Sequence, residues 1–123
     1  MYQLKTVTHF AAAHQLRGFK GKCESLHGHN WKVEVYLEGN TLNDIGLLMD
    51  FGEVKQATYQ LLDGVDHTNL NDLDQFKVIN PSSENIAHYL FDQLSARLNN
   101  DVIKVVKICV WESENSCACY LEG

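Results

Sequence analysis

The stretch N-W-K-V-E-V-Y-L-E-G at 30–39 leaves little choice of structure. Trp31, Val33, Val35 and Leu37 fall on one face of an extended chain, and Lys32, Glu34, Tyr36 and Glu38 on the other. Side chains alternate between the faces of a strand, so this pattern dictates one buried and one solvated face, as in an antiparallel sheet. Such a strand needs paired neighbours and an apolar cover. Residues 2–14 supply the first neighbour, with Val7 and His9 on one parity and Phe10, Ala12 and His14 on the other. Gly18 and Gly21 break the connection between the two.

From Phe51 the period lengthens. Phe51, Val54, Thr58, Leu61 and Leu62 recur at helical spacing, with Asp50 as the cap and Gly64 as the stop. The only proline, Pro81, precedes Ser82, Ser83 and Glu84, which open a second helix with a buried stripe of Ile86, Ala87, Leu90, Phe91, Leu94 and Leu98. Ile103 to Val110 and Cys117 to Leu121 read as a closing hairpin that turns near Glu114 and Asn115. The order is β-β-α-α-β-β, an α+β chain whose four-stranded antiparallel sheet carries two helices on one face. Two sheet edges remain to be hidden, and oligomerisation is one way to hide them.

At 123 residues this reads as a single domain, 1–123, with room for a core that needs no cross-links. Cys23, Cys109, Cys117 and Cys119 are therefore expected as thiols, the last three as packing residues. Cys117 and Cys119, two apart on a strand, point the same way and cannot easily pair with each other. No run approaches the roughly 20 apolar residues of a membrane span, and M-Y-Q-L-K-T-V-T-H-F lacks the apolar segment of a secretory signal. A cytoplasmic address and no membrane partner are the expectation.

The net charge of −6 argues against nucleic acid, which is bound by neutralising phosphates. Its distribution says more. Residues 1–23 carry Lys5, Arg17, Lys20 and Lys22 and no acid, which leaves −10 for residues 24–123. The basic loop R-G-F-K-G-K at 17–22 is either a solvated turn or a binding site for a small anion.

That loop runs directly into C-E-S-L-H-G-H. His27 and His29 are two apart, so on an extended segment both imidazoles face one way, and Gly28 between them lets another backbone approach. His14 ends the first strand, and antiparallel pairing would bring it opposite this pair. Three histidines and no fourth protein ligand describe a catalytic zinc site with an open position; the alternative is three histidines that merely cap and pack. Cys23 is too close to His27 to complete a tetrahedron comfortably, but a thiol near a dication favours its thiolate and becomes a base. Glu24 is a second base of different reach. Asp66 beside His67 suits proton shuttling, although Asp66 could equally end the first helix. Glu112, after a run of strand hydrophobes, needs a partner with paired donors such as an arginine or the amidine-like edge of a pterin or guanine.

Together these segments resemble the 6-pyruvoyltetrahydropterin synthase / 6-carboxytetrahydropterin synthase family over nearly the whole chain. F-A-A-A-H at 10–14 is similar to the segment of its first zinc histidine, and H-G-H at 27–29 to the other two. G-L-L-M-D-F at 46–51, D-H-T-N-L-N at 66–71, P-S-S-E-N at 81–85 and Glu112 follow in the family's order, with Ser82 where threonine is usual. The resemblance implies a tunnelling fold (T-fold), in which trimers close into a β-barrel and two trimers stack as a homohexamer with active sites between subunits. It implies Zn2+ on His14, His27 and His29, Glu112 as the pterin anchor, and Cys23, Asp66 and His67 as the proton-moving groups. Arg17, Lys20 and Lys22 would meet a triphosphate.

The substrate implied is 7,8-dihydroneopterin triphosphate, converted to 6-carboxy-5,6,7,8-tetrahydropterin with release of acetaldehyde and triphosphate, in queuosine biosynthesis. Members with C-x-x-x-H-G-H resemble that type, and members with E-x-x-H-G-H a type making 6-hydroxymethyl-7,8-dihydropterin for folate. This chain carries both, as C-E-x-x-H-G-H, and resembles the subgroup credited with both reactions. The rivals are a 6-pyruvoyltetrahydropterin synthase, which releases triphosphate but no two-carbon aldehyde, and a non-catalytic zinc- or pterin-binding module. A mere binder has no use for Cys23 and His67.

Overall fold

Strands β1 (Tyr2–His14) and β2 (His27–Gly39) pair antiparallel along their length, with Phe10 opposite Trp31, Ala12 opposite His29 and His14 opposite His27. The computed structural model describes residues 1–18 and 25–122 of the chain. Helix α1 (Phe51–Leu62) follows, then the two-residue strand β3 (Thr68–Asn69), helix α2 (Ser83–Leu98) and the hairpin of β4 (Ile103–Ser113) and β5 (Ser116–Leu121). Two 3₁₀ turns, Leu70–Asp72 and Asp74–Phe76, lie between β3 and α2. The sheet order is β3-β1-β2-β4-β5. The four long strands are antiparallel as the alternation required, and β3 adds a short parallel rung beside Ala12 and Ala13.

Helix α1 starts where Asp50 Oδ1 accepts the Gly52 N–H at 2.7 Å, and α2 where Ser82 Oγ accepts the Asn85 N–H at 3.1 Å. Val54, Thr58, Leu61 and Leu62 of α1 and the whole predicted stripe of α2 are buried. They cover Trp31, Val33, Val35 and Leu37, which are fully buried with Val105, Ile108 and Val110 of β4. Phe51 departs from the expected stripe and is half exposed, because it lies in the first turn ahead of the covered face. A side chain at Gly39 would fall 2.5 Å from the Val102 carbonyl oxygen, so only glycine lets the end of β2 approach the start of β4.

Among the described residues, the helix-free face holds one buried acid, Glu34. Glu34 accepts Trp111 Nε1–H at 2.6 Å and pairs with Lys5 Nζ at 2.9 Å. Burial alone would raise its pKa, but the bonds from Lys5 and Trp111 outweigh it and hold the carboxyl below its usual range.

The cysteine reading needs correction. Cys109 and Cys119 are disulfide-bonded across β4 and β5, with Cα atoms 4.0 Å apart. A regular hairpin continuing the Ser113–Ser116 pair would set Cys109 against Tyr120. The register shifts between Trp111 and Ser113, and that shift places Cys119 opposite Cys109. A bulge of this kind leaves no trace in the alternation, so the pairing was not legible. Cys117 is a free, exposed thiol. Among the described residues no helix is long and apolar enough to cross a membrane.

Candidate metal centre

His14, His27 and His29 occupy the helix-covered face of the sheet at one end of β1 and β2, in the register rows next to Phe10 and Trp31. Trp31 buttresses two of the rings edge-on, its centroid 4.9 Å from that of His14 and 5.3 Å from that of His29, while its Nε1–H donates to the Ala12 carbonyl at 3.2 Å. Glu112 reaches the same point from β4, two residues beyond Val110 and on its face. One ligand atom from each of the four lies within 4.8 Å of the others. Glu112 Oε1 stands 2.9 Å from His29 Nε2, 3.1 Å from His14 Nε2 and 3.8 Å from His27 Nε2.

The outer ring nitrogens decide what this cluster can hold. His14 Nδ1 lies 2.7 Å from the Pro81 carbonyl oxygen, and His27 Nδ1 lies 2.7 Å from that of Ser25. A carbonyl only accepts, so both Nδ1 atoms carry the proton, and in the neutral rings both Nε2 atoms present lone pairs to the centre. His29 Nε2 is buried and makes no hydrogen bond, despite its distance of 2.9 Å from Glu112 Oε1. Burial pushes the His29 imidazole toward its neutral form, with Glu112 opposing and the other two imidazoles assisting. Three ring nitrogens and a carboxylate oxygen thus converge on one point, with His14 Nε2 and Glu112 Oε1 at hydrogen-bond distance, 3.1 Å. A cation satisfies that arrangement, and three imidazoles with a carboxylate are a zinc-type donor set.

Glu112 was expected to stand apart and meet a substrate; the structure places it in the cluster as a potential fourth ligand. It also lines a cleft with Ser83, Glu84, Ser116, Cys117 and Ala118. The period-two parity of β4 put Glu112 on the face of Val110, but no local signal told that β4 lies beside β2. The Pro81 and Ser25 carbonyls were equally invisible, since a backbone oxygen has no sequence signature. Among the described residues, a side chain at Gly28 would meet first the backbone oxygen of Ala12, at 4.0 Å.

Asp66 and His67 lie at the sheet edge, outside the cluster. Asp66 Oδ1 accepts the Ala11 N–H at 2.8 Å, the His67 N–H donates to the Ala11 carbonyl, and His67 Nδ1 is 3.0 Å from Asp66 Oδ2. The pair thereby clamps both backbone groups of one β1 residue. His67 holds a φ of 57°, and its ring is 81% exposed. The Ala11 N–H, assisted by the imidazole, keeps the Asp66 carboxyl below the usual carboxylate range.

Arg17 is put to structural use. Its Nη2 donates to the Phe76 and Ile79 carbonyls, while its backbone exchanges two hydrogen bonds with the Asn80 side chain. Lys20, Lys22, Cys23 and Glu24 lie outside the described residues.

Residues 3–123 match the sequence model of the family described as 6-pyruvoyl tetrahydropterin synthase. A relative in Archaeoglobus fulgidus, named putative 6-carboxy-5,6,7,8-tetrahydropterin synthase, is 38% identical over 111 residues, 90% of this chain and 88% of its own. The 6-pyruvoyl tetrahydrobiopterin synthase of Dictyostelium discoideum is 38% identical over 102 residues, 81% of this chain and 73% of its own. The structure of 6-pyruvoyl tetrahydropterin synthase from Caenorhabditis elegans superposes with a TM-score of 0.87 at 30% identity, over 99% of this chain and 96% of that one. Relatives named for carboxy and pyruvoyl products thus stand at equal identity.

Proposed function

The chain belongs to the 6-pyruvoyl tetrahydropterin synthase family, and on that footing we propose that it is a zinc enzyme. It converts 7,8-dihydroneopterin triphosphate to 6-carboxy-5,6,7,8-tetrahydropterin, releasing acetaldehyde and triphosphate, on the route to queuosine. The observation that carries this reading is the convergence of His14, His27, His29 and Glu112 with two ring tautomers set by backbone carbonyls. His14, His27 and His29 hold the metal, which when bound supplies Lewis-acid activation of the substrate's side chain.

The remaining roles fall to the protein's own groups. Glu112 grips the pterin edge, since a carboxylate matches two adjacent N–H donors. Cys23 removes the side-chain proton as a thiolate, and the Asp66–His67 pair returns protons from a neutral-to-charged imidazole held in place by its carboxylate. The high exposure of His67 at the sheet edge suits a pair that serves the cluster of an adjacent subunit. Because Arg17 is engaged with carbonyls, the triphosphate falls mainly to Lys20 and Lys22. Glu24 provides a second base, and with it a side activity forming 6-hydroxymethyl-7,8-dihydropterin. The open sheet, with β3 and β5 at its edges and a helix-free face, suits closure into a barrel by three copies and stacking of two trimers in the cytoplasm.

Incubation of the zinc-loaded protein with 7,8-dihydroneopterin triphosphate, followed by product identification, tests the proposal. The expected yield is 6-carboxy-5,6,7,8-tetrahydropterin with one acetaldehyde per turnover. Triphosphate release without acetaldehyde would transfer the protein to the pyruvoyl type, and no turnover would leave a binding module.

A further inference from the structure

Glu112 borders two spaces at once. Its Oε1 is inside the histidine cluster, 2.9 Å from His29 Nε2 and 3.1 Å from His14 Nε2. The same side chain lines the adjoining cleft, and at 35% exposure it is far more open than His14 at 2%. Within the cluster its Oε1 faces three ring nitrogens, with His14 Nε2 at hydrogen-bond distance, 3.1 Å. The Nδ1 protons of His14 and His27 are given to Pro81 and Ser25, and His29 Nε2 makes no hydrogen bond. A carboxylate oxygen within 3.8 Å of three Nε2 atoms, two of them on rings whose Nδ1 faces a backbone carbonyl, is placed as a metal ligand would be.

The two uses of this carboxylate exclude each other. Gripping an amidine-like edge takes both oxygens, in plane with the ring's paired N–H groups. A side chain that keeps Oε1 in the cluster offers the ring only Oε2. We propose that Glu112 is a displaceable fourth ligand: it closes the coordination shell when the cleft is empty, and it is given up to the pterin ring when the ring arrives. Recognition of the ring then opens a coordination position only with substrate in place, so that a metal already competent for Lewis-acid chemistry stays capped otherwise. The inference rests on the reading of the cluster as a metal centre beside a pterin cleft.

Cobalt(II) in place of zinc reports coordination in the visible range without any turnover. The probe is 6-methylpterin, whose 6-substituent bears no oxygen for the metal; direct ligation by the ring's own O4 and N5 is told apart by a new ring-to-metal absorption band, which release of a carboxylate does not produce. Wild type, Glu112→Gln and Glu112→Ala are compared, with two variants so that a misfolded one does not decide the matter. The cobalt spectra of both variants should differ from that of wild type before any pterin is added. Addition of 6-methylpterin should then move the wild-type spectrum toward that of Glu112→Ala and leave the variants unmoved. Metal affinity should fall about tenfold to a hundredfold in Glu112→Ala.

Identical cobalt spectra and affinities for wild type and both variants would overturn the ligand role. A wild-type spectrum that stays constant while ring fluorescence shows 6-methylpterin bound would overturn the release. Failure of wild type to take up cobalt or zinc would remove the metal reading, and the inference with it. Metal uptake with altered variant spectra but no ring binding would instead remove the pterin reading and the release step, while Glu112 stood as a ligand.

Discussion

Replacing His14 with alanine separates a structural cost from a metal-dependent one. The ring is 2% exposed, packs edge-on against Trp31, and donates Nδ1–H to the buried Pro81 carbonyl at 2.7 Å. Without metal, His14→Ala therefore leaves a void and an unpaired acceptor, together costing about 2–4 kcal/mol. That is within the 5–15 kcal/mol of a typical domain, so the variant still folds. With metal, wild type gains a further increment that the variant lacks. At free zinc about 100 times the dissociation constant this increment is about 2.7 kcal/mol, roughly 10 °C in melting temperature for a chain of this size. Thermal unfolding of both proteins in excess chelator and in excess zinc closes the cycle. His9→Ala, an exposed histidine on the other face of the same strand, serves as the control and should keep the full increment. A His14→Ala variant with the wild-type increment, or a wild type with none for any first-row metal, would refute the convergence argument.

Three other outcomes are expected. Cys23→Ala should retain zinc stoichiometry and pterin binding while losing carboxytetrahydropterin production by two or more orders of magnitude; loss of zinc as well would make Cys23 a ligand. Glu24→Ala should reduce the hydroxymethyl product selectively, and equal loss of both products would dismiss the two-base reading. Asp66 has a lowered carboxyl pKa in the fold, so its contribution is complete above the unfolded carboxylate pKa of about 3.9 and fades as pH falls through the folded value. In chelator, the difference in urea midpoint between wild type and Asp66→Asn should accordingly be largest near neutrality and shrink below about pH 4. A constant difference would mean that the Ala11 N–H bond acts without the charge.

Much of the architecture was legible because it follows from local periodicity. Alternation in residues 2–14 and 31–37 placed two long strands, and the α2 stripe from Ile86 to Leu98 is buried residue for residue as its spacing required. The side of the sheet on which His14, His27 and His29 lie was equally open to view, since parity needs no knowledge of partners. Gly64 marks the stop of α1 as expected, directly after the cap Asp63. The chain leaves α1 at Leu62, and the left-handed residue of that connection is His67.

Sequence alone thus determined most of the buried stripes, the four long strands and two helices they build, and that three imidazoles share a face, because backbone geometry converts spacing into direction. Tertiary structure decided what meets at each point. The pairing of β4 with β2 delivered Glu112 to the histidines, a register shift in the last hairpin joined Cys109 to Cys119, and the start of α2 brought the Pro81 carbonyl to His14. Such meetings depend on long-range register and on backbone atoms common to every residue. Neither is written in the identity of nearby side chains.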